Sequence, residues 1–281
     1  MYHVTEKRLT AVLWDSIDEP MQIASTMQQP NNTARAEILR TIERDESWYG
    51  APSRAVLAER LSQGWPEGVE RLMALATREI NPTSIRRRRE RADQGAELDI
   101  HAVYRGDLSR AWTRSRRKAS SGVRNLSLIV DLAANCDVTA DQLFWRGAAA
   151  LRLTAALTDA GYNVGIFGAA SGTNADTEGT VDYCQIVSIK DPDQPLDMDR
   201  LAALTAMPGF FRTSLFTGIE KCCDMADKLA AGSLGYTNQN HLVSGAAMLP
   251  IPQDLIVQEP VLDQMSAQEW IDKVVSNMEV A

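Results

Sequence analysis

A strand–helix–strand pattern in the middle of the chain constrains the fold most strongly. An apolar run from Leu126 to Val130 ends at Asp131 and is typical of a strand buried on both faces. A helix-forming stretch from Ala140 to Ala160 follows and stops before Gly161, and residues 163–167 read as a second short strand. Because two parallel strands need such a helical crossover, this βαβ unit predicts an α/β domain with a largely parallel sheet.

The chain divides into three segments that differ in composition and sequence pattern. Residues 1–81 read as short helices, and residues 82–124 are rich in arginine. Residues 125–281 contain the βαβ unit together with strand candidates at 181–189 and 254–257. The predicted fold class is therefore α/β, with a Rossmann-like, mostly parallel sheet flanked by helices and an N-terminal helical extension.

Loops and further helices complete the outline of the third segment. Residues 168–179 are small and polar and read as a surface loop, and residues 238–241 read as a second polar loop. Helices are expected at 197–207 and 215–231, and a capping box at 266–269 opens the last helix.

Charge is segregated along the sequence. The chain carries a net charge of −8, yet the window from Pro82 to Arg124 holds twelve basic and five acidic residues, a local charge of +7 that leaves −15 for the remainder. A polyanion responds to this local field, so the window is a candidate nucleic-acid interface. Arginines contact phosphate oxygens, and the interleaved aromatic rings can stack on unpaired bases. The predicted nucleic-acid-binding residues are Arg86, Arg87, Arg88, Arg89, Arg91, Tyr104, Arg105, Arg110, Trp112, Arg114, Arg116, Arg117 and Lys118.

The type of nucleic acid follows from what the basic window lacks. No leucine heptad follows the arginine run at 86–91, and no zinc-finger spacing occurs. This favours single-stranded DNA or RNA, or a non-specific contact, over readout of the major groove. Two other interpretations stay open for the same residues: an acidic protein partner, and salt bridges to the acidic remainder of the chain.

The stretch LIVDLAANCDVTADQLFWRGAAALRLTAALTDAGYNVGIFG resembles the opening of a von Willebrand factor A-like (vWA-like) domain, and the resemblance extends over residues 125–280. In that family an Asp-x-Ser-x-Ser turn after the first strand binds a divalent ion, together with a Thr and an Asp from later loops. Here only the aspartate matches: Ala133 and Cys136 carry no hard oxygen ligand, whereas the Asn135 side-chain carbonyl could serve as one. The resemblance implies a degenerate metal site whose remaining ligands are Asp131, Asn135 and Thr213.

The resemblance and the basic window lead to three hypotheses, of which the third is residual metal-dependent adhesion through Asp131. The first is a non-enzymatic protein that binds single-stranded DNA or RNA as a phage transcription or replication cofactor, because the chain also resembles tailed-phage proteins with such a degenerate domain. The second is a vWA-like protein–protein adaptor, for example the companion of an AAA+ ATPase, that binds no nucleic acid. The expected protein partner is a phage or host polymerase or an AAA+ ATPase, and a homo-oligomer is left open.

No catalytic residue is predicted. The sequence contains no GxGxxG or GKS/T loop for phosphates, no GxSxG turn and no HExxH pair. We expect no cofactor, with Mg²⁺ at the degenerate site as the alternative. The N-terminal residues show no signal-peptide core and no apolar run reaches the roughly 18 residues of a membrane span, so we expect a cytoplasmic protein (in the host cytoplasm if phage-encoded) without membrane contact.

Overall fold

The computed structural model describes residues 1–26, 46–77, 80, 88–92, 97–98, 100–107, 111–116, 124–133, 138–176, 179–216, 218, 237–252 and 254–280. The strands are β1 Tyr2–Glu6, β2 Leu9–Trp14, β3 Arg88–Ala92, β4 Glu97–Leu98, β5 Trp112–Arg116, β6 Asn125–Asp131, β7 Asn163–Asp176, β8 Gly179–Lys190 and β9 Leu255–Val257. The helices are α1 Asp18–Thr26, α2 Glu46–Tyr49, α3 Arg54–Gln63, α4 Pro66–Leu72, α5 Ile100–Tyr104, α6 Ala140–Asp159, α7 Met198–Thr205, α8 Pro208–Phe210, α9 Gln239–Met248 and α10 Gln264–Val280. A π-helical turn, Phe211–Leu215, follows α8.

Six strands form the main sheet, in the order β1-β2-β8-β7-β6-β9. β6 pairs in parallel with β7 and with β9, and β2 pairs in parallel with β8. The pairs β1–β2 and β7–β8 are antiparallel. The α/β class and the βαβ unit are thus confirmed, whereas the sheet is mixed, because β8 follows β7 directly, without a helix between them, and pairs with it antiparallel.

Helix α6 is the crossover of the βαβ unit. It begins at a capping box, in which Gln142 N donates to Thr139 Oγ1 (3.2 Å) and Thr139 N donates to Gln142 Oε1 (2.9 Å). Beyond its end, Gly161 has a φ of 88°, in the left-handed region that favours glycine. Local signals therefore set both ends of α6, as the sequence predicts.

Helices cover both faces of the main sheet. On one face α3, α4, α6, α7 and α10 share a core that includes Leu128, Leu151 and Trp270. On the other face α9 packs against β2, β7 and β8 in a second core that includes Ile129 and Leu242. β6 is therefore buried on both faces, as its apolar run predicts. None of the helices in the described ranges combines the length and apolar character needed to cross a membrane.

The first segment is not a purely helical extension. β1 and β2 form a hairpin, and β2 joins the main sheet with Ala11 opposite Cys184 of β8. The helical prediction for 1–81 is wrong here, because β2 is held by residues far along the chain and not by a local signal. It is confirmed further along, where Ser53 Oγ accepts a hydrogen bond from Val56 N (3.2 Å) and caps α3.

Two predicted loops belong to regular structure instead. Most of the stretch 168–179 lies in β7, which pairs along its length with β8. Its small residues suit a buried strand, since Ser171 is fully buried and donates its hydroxyl to Asn238 O (2.8 Å). The stretch 238–241 begins α9, because Asn238 Oδ1 accepts from Asn240 N (3.0 Å) and caps the helix.

The other predicted helices have mixed outcomes. The helix at 197–207 is confirmed as α7, and the Asp197 carboxylate caps it. The helix expected at 215–231 lies mainly outside the described residues. The last helix is confirmed as α10 but begins slightly earlier than predicted, with Asp263 Oδ1 accepting from Ser266 N (2.7 Å).

Candidate functional site

Asp131 lies at the carboxyl end of β6, and its side chain is 3% exposed. Its Oδ1 accepts a hydrogen bond from Ala133 N (3.0 Å). Its Oδ2 accepts from Thr237 Oγ1 (2.6 Å), just before α9, and from Arg146 Nη1 (3.1 Å), in the second turn of α6. Both carboxylate oxygens are therefore hydrogen-bonded within the protein.

Arg146 is buried together with this carboxylate, and its side chain is 6% exposed. Nη1 also donates to Ala133 O (2.7 Å) and to Asp131 O (3.3 Å). Nε is buried and has no hydrogen-bond partner among the described residues. A buried charge is tolerated when it is paired and hydrogen-bonded, and here the Nη1 end of the guanidinium meets both conditions.

Gln258 connects this ion pair to the edge of the sheet. It follows β9 and is fully buried. Its Nε2 donates to Arg146 O (2.7 Å), and its backbone N donates to Ile129 O (2.9 Å). The carboxyl-edge cluster, defined as Asp131, Arg146, Thr237 and Gln258, thus joins β6, α6, the start of α9 and the end of β9.

The residues implied as a magnesium site do not fit a hard cation. The Asp131 carboxylate already accepts from three donors, and one of them carries a positive charge. A cation needs free oxygen ligands, and at this carboxylate it would meet the like charge of Arg146. Thr213 instead donates its hydroxyl to Gly209 O (2.7 Å), and Asn135 lies outside the described residues. Within the described ranges, no three His, Cys, Asp or Glu side chains form a metal-binding group.

The basic window forms a small sheet of its own, with the strand order β3-β5-β4. β3 and β5 are antiparallel, and their register places Arg88 opposite Arg116 and Glu90 opposite Arg114. We call these three strands the basic sheet. Six of the predicted nucleic-acid-binding residues lie on its two longer strands: Arg88, Arg89, Arg91, Trp112, Arg114 and Arg116.

Alternation along the strands divides the basic sheet into two faces. Positions 88, 114 and 116 share a face with Trp112 and with Leu98 of β4, and we call it the Trp112 face. Leu98 is 46% exposed and Trp112 is half-buried, so this face reaches solvent. Positions 89 and 91 lie on the opposite face.

The remaining predicted residues have different placements. Tyr104, at the end of α5, is 84% exposed, and Arg105 beside it is also exposed. The structure therefore leaves an aromatic ring and a cation open to solvent in the same chain segment as the basic sheet. Five predicted residues lie outside the described ranges: Arg86, Arg87, Arg110, Arg117 and Lys118.

Sequence reasoning missed three members of the carboxyl-edge cluster. One of them left a usable signal, because Arg146 stands within the apolar stretch FWRGAAAL. A charge on the buried stripe of a helix needs a buried partner, and Asp131 is the acidic residue that the preceding strand supplies. Thr237 and Gln258 carry no such signal, since isolated Thr and Gln residues are common at surfaces.

These features define an α/β protein with a mixed six-stranded sheet, a buried ion pair at the carboxyl end of a central strand, and a separate basic sheet. Residues 3–273 match the model of a family described as "Domain of unknown function (DUF7192)", and the chain belongs to that family. Comparisons with curated proteins and with solved structures give no match. The family match spans both the basic sheet and the carboxyl-edge cluster.

Proposed function

We propose that the protein binds single-stranded nucleic acid through the Trp112 face of the basic sheet. The observation that carries this proposal is the register of β3 and β5, which places Arg88 directly opposite Arg116. Like charges directly opposite each other destabilise an antiparallel pair. A phosphate group bound between them offsets that repulsion, because each guanidinium donates to phosphate oxygens.

The balance of charge on the two strands supports the same proposal. β3 and β5 together carry five arginines and one acidic residue, Glu90. A surface of this composition attracts a polyanion at long range, although the chain as a whole is negative. A nucleic-acid backbone carries one negative charge on each phosphate, so successive phosphates can each contact one of several neighbouring arginines.

Exposed aromatic rings favour a single strand over a duplex. Tyr104 is almost fully exposed, and Trp112 lies among the arginine positions of the Trp112 face. Unpaired bases stack on such rings with about 1–3 kcal/mol per base, whereas bases within a duplex are already stacked on each other. The composition of the face therefore matches an unpaired strand of DNA or RNA.

Two double variants test the proposal with equal loss of charge. Arg114→Ala/Arg116→Ala removes two arginines from the Trp112 face, and Arg89→Ala/Arg91→Ala removes two from the opposite face. For a fluorescent single-stranded oligonucleotide, we expect the first variant to lower affinity about 30-fold at low salt, because two phosphate contacts are lost. The slope of log affinity against log salt should become shallower by about 1.4.

The matched variant separates contact from long-range attraction. We expect Arg89→Ala/Arg91→Ala to lower affinity only about threefold, through the weaker overall field. Equal losses for the two variants would discard the Trp112 face as the binding surface. Absence of oligonucleotide binding by the unmodified protein at low salt would discard the function itself.

Removing the acidic residue from the Trp112 face should have the opposite effect. Glu90 lies opposite Arg114, on the face proposed to meet phosphate, whereas Glu97 lies opposite Thr113 on the other face. We expect Glu90→Gln to raise oligonucleotide affinity about two- to threefold, because one repulsive charge is lost. Glu97→Gln is the control and should leave affinity nearly unchanged in the same titration. A gain of equal size for both variants would contradict the assignment of faces.

A protein–protein adaptor is the second candidate function. It is favoured by the exposure of apolar side chains next to the basic sheet, namely Leu98, Ile100 and Val103. Neighbouring exposed apolar residues are typical of protein contacts. This function predicts that the unmodified protein binds no oligonucleotide in the titrations above. It also predicts that a protein partner is recovered by pull-down with the unmodified protein but not with the Ile100→Ser/Val103→Ser variant.

We also infer that the main sheet is vWA-like. Support comes from β6 ending at Asp131, followed by the long helix α6 and the parallel strand β7. In this interpretation the α/β domain is a rigid support for the basic sheet and the chain has no catalytic role. The carboxyl-edge cluster then occupies the place at which such a domain holds its ion.

A further inference from the structure

We propose that the positively charged Arg146 side chain takes the place of a metal ion in the carboxyl-edge cluster, so that the cluster is complete without a bound cation. Nη1 of Arg146 lies 2.7 Å from Ala133 O, 3.1 Å from Asp131 Oδ2 and 3.3 Å from Asp131 O. Two backbone carbonyls and a carboxylate oxygen thus converge on one nitrogen. Convergent oxygens of these types are the ligands that hard cations take in proteins.

The hydrogen-bond count supports this assignment. An arginine Nη1 carries two hydrogens, yet three oxygen acceptors surround it here, so at least one hydrogen is shared. Nε has no partner in the described part of the chain. The guanidinium is therefore held through Nη1, which three oxygen atoms surround, and not through the bidentate pairing in which two of its nitrogens bind one carboxylate.

The surroundings make this charge a fixed part of the fold. Asp131 Oδ2 also accepts from Thr237 Oγ1 (2.6 Å), and Gln258 Nε2 donates to the backbone oxygen of Arg146 (2.7 Å). Four elements of the fold thus meet around one ion pair whose positive member is covalently attached to α6. Unlike a bound ion, it cannot be lost to a chelator or diluted away.

Removing the arginine side chain would leave an oxygen-rich cavity. Asp131 would keep its carboxylate and its carbonyl, Ala133 its carbonyl, and Thr237 its hydroxyl. These are suitable first ligands for Mg²⁺, Mn²⁺ or Ca²⁺, with water completing the coordination shell. We therefore expect Arg146→Ala to gain a divalent-cation site that the unmodified protein lacks.

Thermal denaturation with and without divalent cations tests this proposal. The proteins are the unmodified chain, Arg146→Ala and Arg146→Ala/Asp131→Asn, each in EDTA and in millimolar MgCl2, MnCl2 or CaCl2. We expect the Tm of the unmodified protein to be the same in all buffers. Arg146→Ala should melt at a lower temperature in EDTA and regain about 3 °C with a cation, because a ligand that binds only the folded state raises its stability. The double variant should regain nothing, because the carboxylate charge is gone.

Each outcome decides the proposal. A cation-dependent rise in the Tm of the unmodified protein that disappears in Asp131→Asn would overturn it, and so would a folded Arg146→Ala that ignores all three cations. If Arg146→Ala folds only when a cation is present, the proposal is supported. If Arg146→Ala folds under no condition, the Arg146→Lys variant is measured instead. A lysine keeps a cation on α6, so we expect this variant to fold with a Tm that does not depend on metal. An unfolded Arg146→Lys protein refutes the proposal.

Discussion

Replacing Asp131 with alanine is expected to lower the free energy of unfolding by about 3–5 kcal/mol. The substitution leaves Arg146 charged and nearly inaccessible to solvent, with its carboxylate partner removed. It also removes the acceptor of the Thr237 hydroxyl and of Ala133 N. Urea denaturation followed by circular dichroism measures the loss, provided that the slope of unfolding against urea concentration is unchanged.

The chain offers a matched control for this prediction. Asp254 pairs with Arg124 at 3.1 Å, the same separation as in the Asp131–Arg146 pair, but its side chain is 48% exposed and that of Arg124 is 60% exposed. Because water screens an exposed pair, Asp254→Ala should cost about 1 kcal/mol or less. If both variants lose a similar amount of unfolding free energy, burial does not make the Asp131–Arg146 pair more important for stability than an exposed pair.

An apolar double variant separates the unpaired charge from the lost contacts. Asp131→Leu/Arg146→Met removes both charges and keeps side chains of similar length in the cluster. Replacing a buried ion pair with apolar residues is often neutral, whereas breaking one is costly. We therefore expect the double variant to unfold at a higher urea concentration than Asp131→Ala. A double variant as unstable as the single one would indicate that the hydrogen bonds, and not the unpaired charge, dominate.

The βαβ unit could be predicted from the sequence because its boundaries are set locally. A capping box at Thr139, a glycine after α6 and an uninterrupted apolar run in β6 are all signals carried by neighbouring residues. β2 has no such signal. It becomes a strand of the main sheet by pairing with β8, more than 160 residues further along the chain, and local patterns do not encode that contact.

The candidate sites show the same division between local and tertiary information. The excess of arginine at 82–124 is visible in composition, but its arrangement in paired strands is not, since Arg, Glu and Ala in RRERA are good helix formers. Asp131 could be singled out because it ends a buried strand. Its pairing with Arg146 depends on how α6 lies against β6, and helix packing of this kind is decided by the whole core.

Replacing Gly147 with alanine is expected to destabilise the protein by about 2 kcal/mol or more, although alanine is the better helix former. A Cβ at this position would lie 2.4 Å from Thr205 O and 2.6 Å from Ala206 Cα, at the end of α7. Both are backbone atoms, so the clash is relieved only by moving α6 away from α7. Gly161→Ala is the contrast, because it meets no atom within 4 Å and costs only the strain of a positive φ, about 1 kcal/mol.

The same substitution links helix packing to the carboxyl-edge cluster. Gly147 directly follows Arg146, so a shift of α6 away from α7 also moves the guanidinium relative to Asp131, to which Nη1 donates over 3.1 Å. We therefore expect Gly147→Ala and Asp131→Ala to be non-additive: in a double-mutant cycle by urea denaturation, the combined loss should be smaller than the sum of the two by about 1 kcal/mol. Strictly additive losses would mean that α6 accommodates the new methyl group without moving Arg146, and that the close approach to α7 and the buried ion pair stabilise the fold independently.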